Sequence, residues 1–68
     1  MNASEKREVL KLYTWSRMGE RDIVARSLCT LIRSARTHRS IMALRAQAAV
    51  LEVDTHPDYI NLMAAMGV

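Results

Sequence analysis

Phenylalanine is absent from this chain, cysteine and proline occur once each, and glycine occurs twice. Each shortage closes a route. A single cysteine, Cys29, cannot form an internal disulfide. Cys29, His38 and His56 have none of the paired spacings that structural zinc sites use. With only Gly19 and Gly67 there is no glycine-rich loop to cradle a phosphate. Tyr13, Trp15 and Tyr59 are the only aromatic side chains, too few for a platform that stacks single-stranded bases. No apolar run approaches the ~18 residues that span a bilayer, and "MNASEKREVL" carries no signal-peptide core. A free thiol without an export signal suits a reducing compartment, so a cytoplasmic location with no membrane partner is expected.

Acidic residues are missing from a long stretch. Residues 1–22 nearly balance Lys6, Arg7, Lys11, Arg17 and Arg21 against Glu5, Glu8, Glu20 and Asp22. Residues 23–51 hold Arg26, Arg33, Arg36, Arg39 and Arg45 and no acid, and residues 52–68 hold only Glu52, Asp54 and Asp58. The net charge of +3 is therefore polarised, basic in the middle and acidic at the end. Such a split serves either a polyanionic or acidic partner or the packing of the chain on itself.

What is present reads as helix. Half of the 68 residues are apolar, drawn from Leu, Ile, Val, Ala and five Met. β-branched residues are scattered and nothing alternates over five positions, so strands are not expected. Four helices account for the chain, over about 4–18, 21–36, 41–53 and 57–66. "NASE" fits a capping box at the first helix, with Val9, Leu12 and Tyr13 facing inward and Leu10 on a flank. Gly19 suits its stop. In the second helix Val24, Leu28, Leu31 and Ala35 share one face, with Arg26, Cys29, Arg33 and Arg36 opposite. Ser40 can cap the third, whose apolar stripes Ile41–Leu44–Ala48–Leu51 and Met42–Ala46–Ala49–Val53 nearly encircle it. That pattern predicts a buried helix at the centre of the bundle. Pro57 suits the first turn of the fourth. The expected fold is all-α: a small bundle of three to four helices in one domain. A chain this short buries only about 60% of its unfolded surface, so a homodimer could complete the core.

Catalysis needs converging groups, and none converge here. Cys29 and His38 lack a third residue to orient the histidine, and Cys29 reads as a small apolar residue on a partly covered helix face. Asp54, His56 and Asp58 alternate in "DTHPD", a spacing that turn formation and capping explain better than a divalent ion. Neither a catalytic residue, nor a metal, nor a cofactor is expected.

Two surfaces remain. Arg33, Arg36 and Arg39 cluster with His38 in "RSARTHRS", Arg26 lies one or two turns up the second helix, and Arg45 follows in the third. Guanidinium forks suit phosphate or carboxylate oxygens, whereas cations closing a helix can equally serve only its dipole. A helix-turn-helix reading of "THRSIMALRA" would put Thr30 and Ser34 at apolar positions, with no glycine at the turn, so base-specific readout is not expected. The second surface is apolar. Trp15 and Met18 form an i, i+3 pair beside the first helix's inner stripe, and Leu62, Met63 and Met66 lie in the apolar end "NLMAAMGV". Both sets either close the core or meet a partner or second copy. The chain is expected to be a small non-enzymatic protein that docks stoichiometrically on an acidic-surfaced protein and regulates or inhibits it. The alternatives are gripping DNA or RNA backbone through the arginines and self-assembly as a structural subunit.

Overall fold

The computed structural model describes residues 1–67. It consists of α1 (Ala3–Arg17), α2 (Arg21–Ser34), α3 (His38–Val50) and α4 (Pro57–Met66), with no strand among the described residues. The expected all-α bundle is what the chain forms.

The first helix starts and stops as its sequence dictates. Asn2 Oδ1 accepts from the Glu5 backbone N–H at 2.8 Å, and Glu5 Oε1 accepts from the Asn2 N–H at 2.9 Å, a reciprocal capping box. At the other end Gly19 N–H bonds Ser16 O and Glu20 N–H bonds Trp15 O, each at 3.1 Å. This Schellman closure needs a left-handed residue, and Gly19 supplies φ +79 without a Cβ penalty.

The other boundaries differ from the sequence reading in instructive ways. α2 stops at Ser34, because Ala35 turns extended. α3 starts at His38, three residues before the expected Ile41, because Thr37 and not Ser40 is its cap: Thr37 Oγ1 accepts from the Ser40 N–H at 3.1 Å. α3 also stops early, at Val50. Glu52 N–H bonds Ala49 O at 3.2 Å and Val53 N–H bonds Ala48 O at 3.0 Å, a second Schellman closure, with Glu52 at φ +61 where glycine is usual. The closure turns Val53 inward, buried beside Ala48. α4 starts at Pro57 as expected, behind a histidine cap.

The centre of the bundle is α2, not α3. α2 packs against each of the other three helices and buries Val24, Ala25, Leu28, Cys29 and Ile32, whereas α3 buries only Leu44 and Ala48. The expectation for α3 fails because its two apolar stripes are not both covered. The Leu44–Ala48–Leu51 side faces the core, and Met42, Ala46, Ala49 and Val50 face out. The α2 face is likewise wider than expected. α1 packs beside half-buried Leu31 on one flank and α4 beside Cys29 on the other, so Cys29 is in the core and not opposite it. A molecule 30 × 27 × 16 Å in Cα positions has room for one helix with neighbours on several sides, since packed axes lie 8–10 Å apart.

Candidate functional site

The exposed side of α2 is a polar ridge between two grooves. Arg26, Thr30 and Arg33 stand at i, i+4 and i+7, within about 60° of one another around the helix axis. All three are exposed. On one side α2 and α4 flank an open groove of about 450 Å3 that takes Arg26, Cys29, Thr30 and Arg33 from α2 and Asp58 and Asn61 from α4. On the other side α1 and α2 flank an open groove of about 390 Å3 with Glu8, Lys11, Leu12 and Trp15 on one wall and Ser27, Thr30 and Leu31 on the other. Thr30 borders both. One surface thus sets an apolar slot beside a basic one, with a single row of side chains between them.

The arginines foreseen in the sequence separate into three places. Arg26 and Arg33 line the α2–α4 groove. Arg26 Nε lies 3.7 Å from Asp58 Oδ2, an exposed pair of little energetic weight. Arg36, His38 and Arg39 sit at the α2–α3 corner, Arg36 in the connection and the other two in the first turn of α3. Only Arg33 is in the last turn of α2, where a cation complements the helix dipole. The Arg39 guanidinium opposes the dipole of α3, whose first turn contains no acid. A carboxylate approaches from α1, where Glu5 Oε1 accepts from Ser40 Oγ at 3.1 Å. Arg45 is further along α3, its Nη1 3.5 Å from Met42 Sδ.

The apolar candidates also separate. Trp15 is 39% exposed and Met18 64%, and Trp15 edges the α1–α2 groove. Leu62 is only 8% exposed and belongs to the core with Tyr59, so it is not available as a contact for a partner. Met63 is half-buried against that core and Met66 is exposed. The end of the chain therefore closes the bundle with one face, the other use foreseen for it. Val68 lies outside the described residues.

A hydrogen-bonded network around His56 escaped the sequence reading. His56 is 7% exposed, caps α4 by accepting the Asp58 N–H on Nδ1 at 3.1 Å, and meets Asp22 Oδ1 through Nε2 at 2.7 Å. With Nδ1 an acceptor, Nε2 carries the proton and donates to Asp22. That hydrogen bond, aided by the charges of Arg26 and Arg21, holds the Asp22 carboxyl below its ordinary range. Arg21 adds to the clamp, with Nη2 2.9 Å from Thr55 Oγ1 and Nε 3.4 Å from Glu52 O. The α3–α4 connection is thus tied to the start of α2 by residues more than thirty positions away. The only local signal was His56 before Pro57, the place of an N-cap. The partner Asp22 had none.

Burial pushes the Cys29 thiol up from its ordinary range, against the pull of Arg33, so little of it is thiolate near neutrality. Among the described residues no group of three or more His, Cys, Asp or Glu side chains is placed to hold a metal ion. Among them also, no helix is long and apolar enough to cross a membrane. The arrangement offers recognition chemistry: guanidinium donors, hydroxyl and amide groups along a groove, and an indole beside a slot. Comparison of the chain with protein-family models, with curated proteins and with solved structures gives no match.

Proposed function

We propose that this protein is a small non-enzymatic binding protein of the cytosol that docks through the α2 ridge onto an acidic-surfaced protein and regulates it by occupancy. The observation that carries this reading is the meeting of the two grooves at Thr30. Trp15 and Leu31 offer an apolar anchor in one groove, and Arg26 and Arg33 line the neighbouring groove across Thr30. Aromatic anchors with flanking charge are the usual composition of a binding hot spot: the indole supplies buried area, and the charges speed and orient encounter. Both grooves are open and polar-rimmed, a form that admits an element of a partner and does not enclose a small substrate.

A second reading rests on a different observation. Arg39 in the first turn of α3 runs against the helix dipole, so helix capping does not account for it, and an anion at that corner would relieve the conflict. In that reading Arg33, Arg36 and Arg39 hold backbone phosphates of a duplex, without base-specific readout from the mainly apolar outer face of α3.

One set of variants separates the two. Nuclease-treated pull-downs compare the wild type with Trp15→Ala and with Arg26→Glu/Arg33→Glu, alongside anisotropy titrations of a labelled duplex at about 50 and 200 mM salt. Protein docking predicts a retained partner that both variants lose, with helicity unchanged. A duplex affinity that falls steeply with salt and with alanine at Arg33, Arg36 and Arg39, yet ignores Trp15→Ala, would replace it with the nucleic-acid reading.

A further inference from the structure

The outer face of α3 is largely apolar and exposed among the described residues, with the Arg45 guanidinium at its border, Nη1 3.5 Å from Met42 Sδ. Met42 is 45% exposed and Val50 63%, with Ala46 and Ala49 exposed between them, while Leu44 and Ala48 occupy the core side. At 100° per residue, Arg39, Met42, Ala46, Ala49 and Val50 all lie within about 60° of Ala46. The ends of this stripe are oppositely charged. His38 and Arg39 open the helix, and exposed Glu52 and Asp54 follow its close. Among the described residues none of these four forms an ion pair.

We infer that α3 is the seam of an antiparallel homodimer. The stripe of one copy packs on the same stripe of a second across a two-fold axis at Ala46, and Arg39 of each copy meets Glu52 of the other. The charge pattern selects this occupant. Positions that face each other across such an axis have numbers summing to about 91 or 92. Met42 then opposes Ala49 and Val50, Ala46 opposes its own copy, and Arg39 comes level with the closing turn past Leu51 that presents Glu52. One element thereby satisfies both requirements of an isologous interface, self-complementary shape and self-complementary charge. A parallel pair would set Arg39 against Arg39 and fails on charge. An acidic protein or a polyanion could answer Arg39 but leaves Glu52 and Asp54 facing like charge. Alanine at the crossing allows a close approach of the axes, near 8 Å. The stripe spans about 17 Å at 1.5 Å per residue, so the seam is small and the dimer concentration-dependent. It leaves the α2 ridge open, because the stripe faces away from α2, and it stands or falls independently of the docking function.

Sedimentation equilibrium of the full chain over about 10–500 µM, at about 50 and 300 mM salt, tests it. The wild type is expected to approach twice the monomer mass, less readily at the higher salt. Ala46→Glu, which places two carboxylates on the axis, is expected to remain monomeric with unchanged helicity. Val50→Lys does the same from a second position, should the first variant fold poorly. Arg39→Glu and Glu52→Lys should each weaken association about tenfold, and the two together should restore it to within about threefold. Trp15→Ala should leave it unchanged. A wild type monomeric at every concentration, or a dimer that survives both Ala46→Glu and Val50→Lys, overturns the inference. A doubly reversed variant no better than either single one overturns the antiparallel register. Monomers produced by Trp15→Ala would move the seam to α1.

Discussion

At the scale of single residues, two positions have structural roles that their residue types do not announce. Glu52 holds a left-handed conformation at φ +61 that closes α3, and an L-residue there carries a penalty that glycine avoids. At a concentration low enough to keep the protein monomeric, Glu52→Gly is therefore expected to raise stability by about 0.5–1 kcal/mol, read as a higher urea midpoint at unchanged m-value. His56 is the second. Its alanine variant loses the α4 cap and leaves a void, at a cost of about 2 kcal/mol, whereas His56→Asn keeps a capping acceptor and should recover about 1 kcal/mol of it. The Asp22 contact adds a pH signature. Its carboxyl titrates lower in the folded state than in the unfolded chain, because the His56 hydrogen bond favours the charged form. The unfolded chain then binds more protons, so this contribution is fully present above the unfolded value of 3.8 and fades as pH falls through the folded one. Urea midpoints measured from about pH 2 to 6 should fall less steeply at the acid end for Asp22→Asn than for the wild type.

At the scale of elements, the question is which helix carries the core. A helix with neighbours on three sides loses more when truncated than one covered on a single side. Leu28→Ala in α2 should cost about 3–5 kcal/mol, enough to unfold much of so small a chain, while Met42→Ala on the outer face of α3 should stay within about 0.5 kcal/mol. Thermal melts at a concentration low enough to keep the protein monomeric distinguish these outcomes. Equal losses would return α3 to the centre. Helix boundaries show how far local chemistry reads out. The Asn2–Glu5 box and Gly19 were legible because each motif is complete within four or five residues. The Thr37 cap was not, since "RTHRS" offers two hydroxyls three positions apart and local propensity does not rank them. The end of α3 was masked for a different reason. A Schellman turn normally betrays itself by glycine, and here Glu52 takes that place.

At the scale of the whole molecule, polarised charge and uncovered apolar surface are the properties that reach function. Half of the candidate surface was legible: Arg26 and Arg33 share a face through an interval of seven, which any helix enforces. The other half depends on register between helices. Trp15 reaches the neighbourhood of Thr30 and Leu31 only because α1 packs beside α2 at that height, and no local pattern encodes that height. Self-association through α3 would couple to stability, because whatever binds only the folded state raises its melting point. The melting temperature should therefore climb with protein concentration for the wild type and stay flat for Ala46→Glu, a check independent of mass.

Composition and periodicity alone determined that the chain folds as an all-α bundle of three to four helices and that its charge runs from basic to acidic, because these follow from intervals of three and four residues and from counts. Tertiary structure decided the rest. Which stripe of α3 is covered, that α2 lies at the centre, and that Asp22 meets His56 all turn on how finite amphipathic faces are shared among neighbours. Coverage is a property of the packed set: α3 has more apolar surface than its neighbours can bury, and only their arrangement settles which side is left facing out.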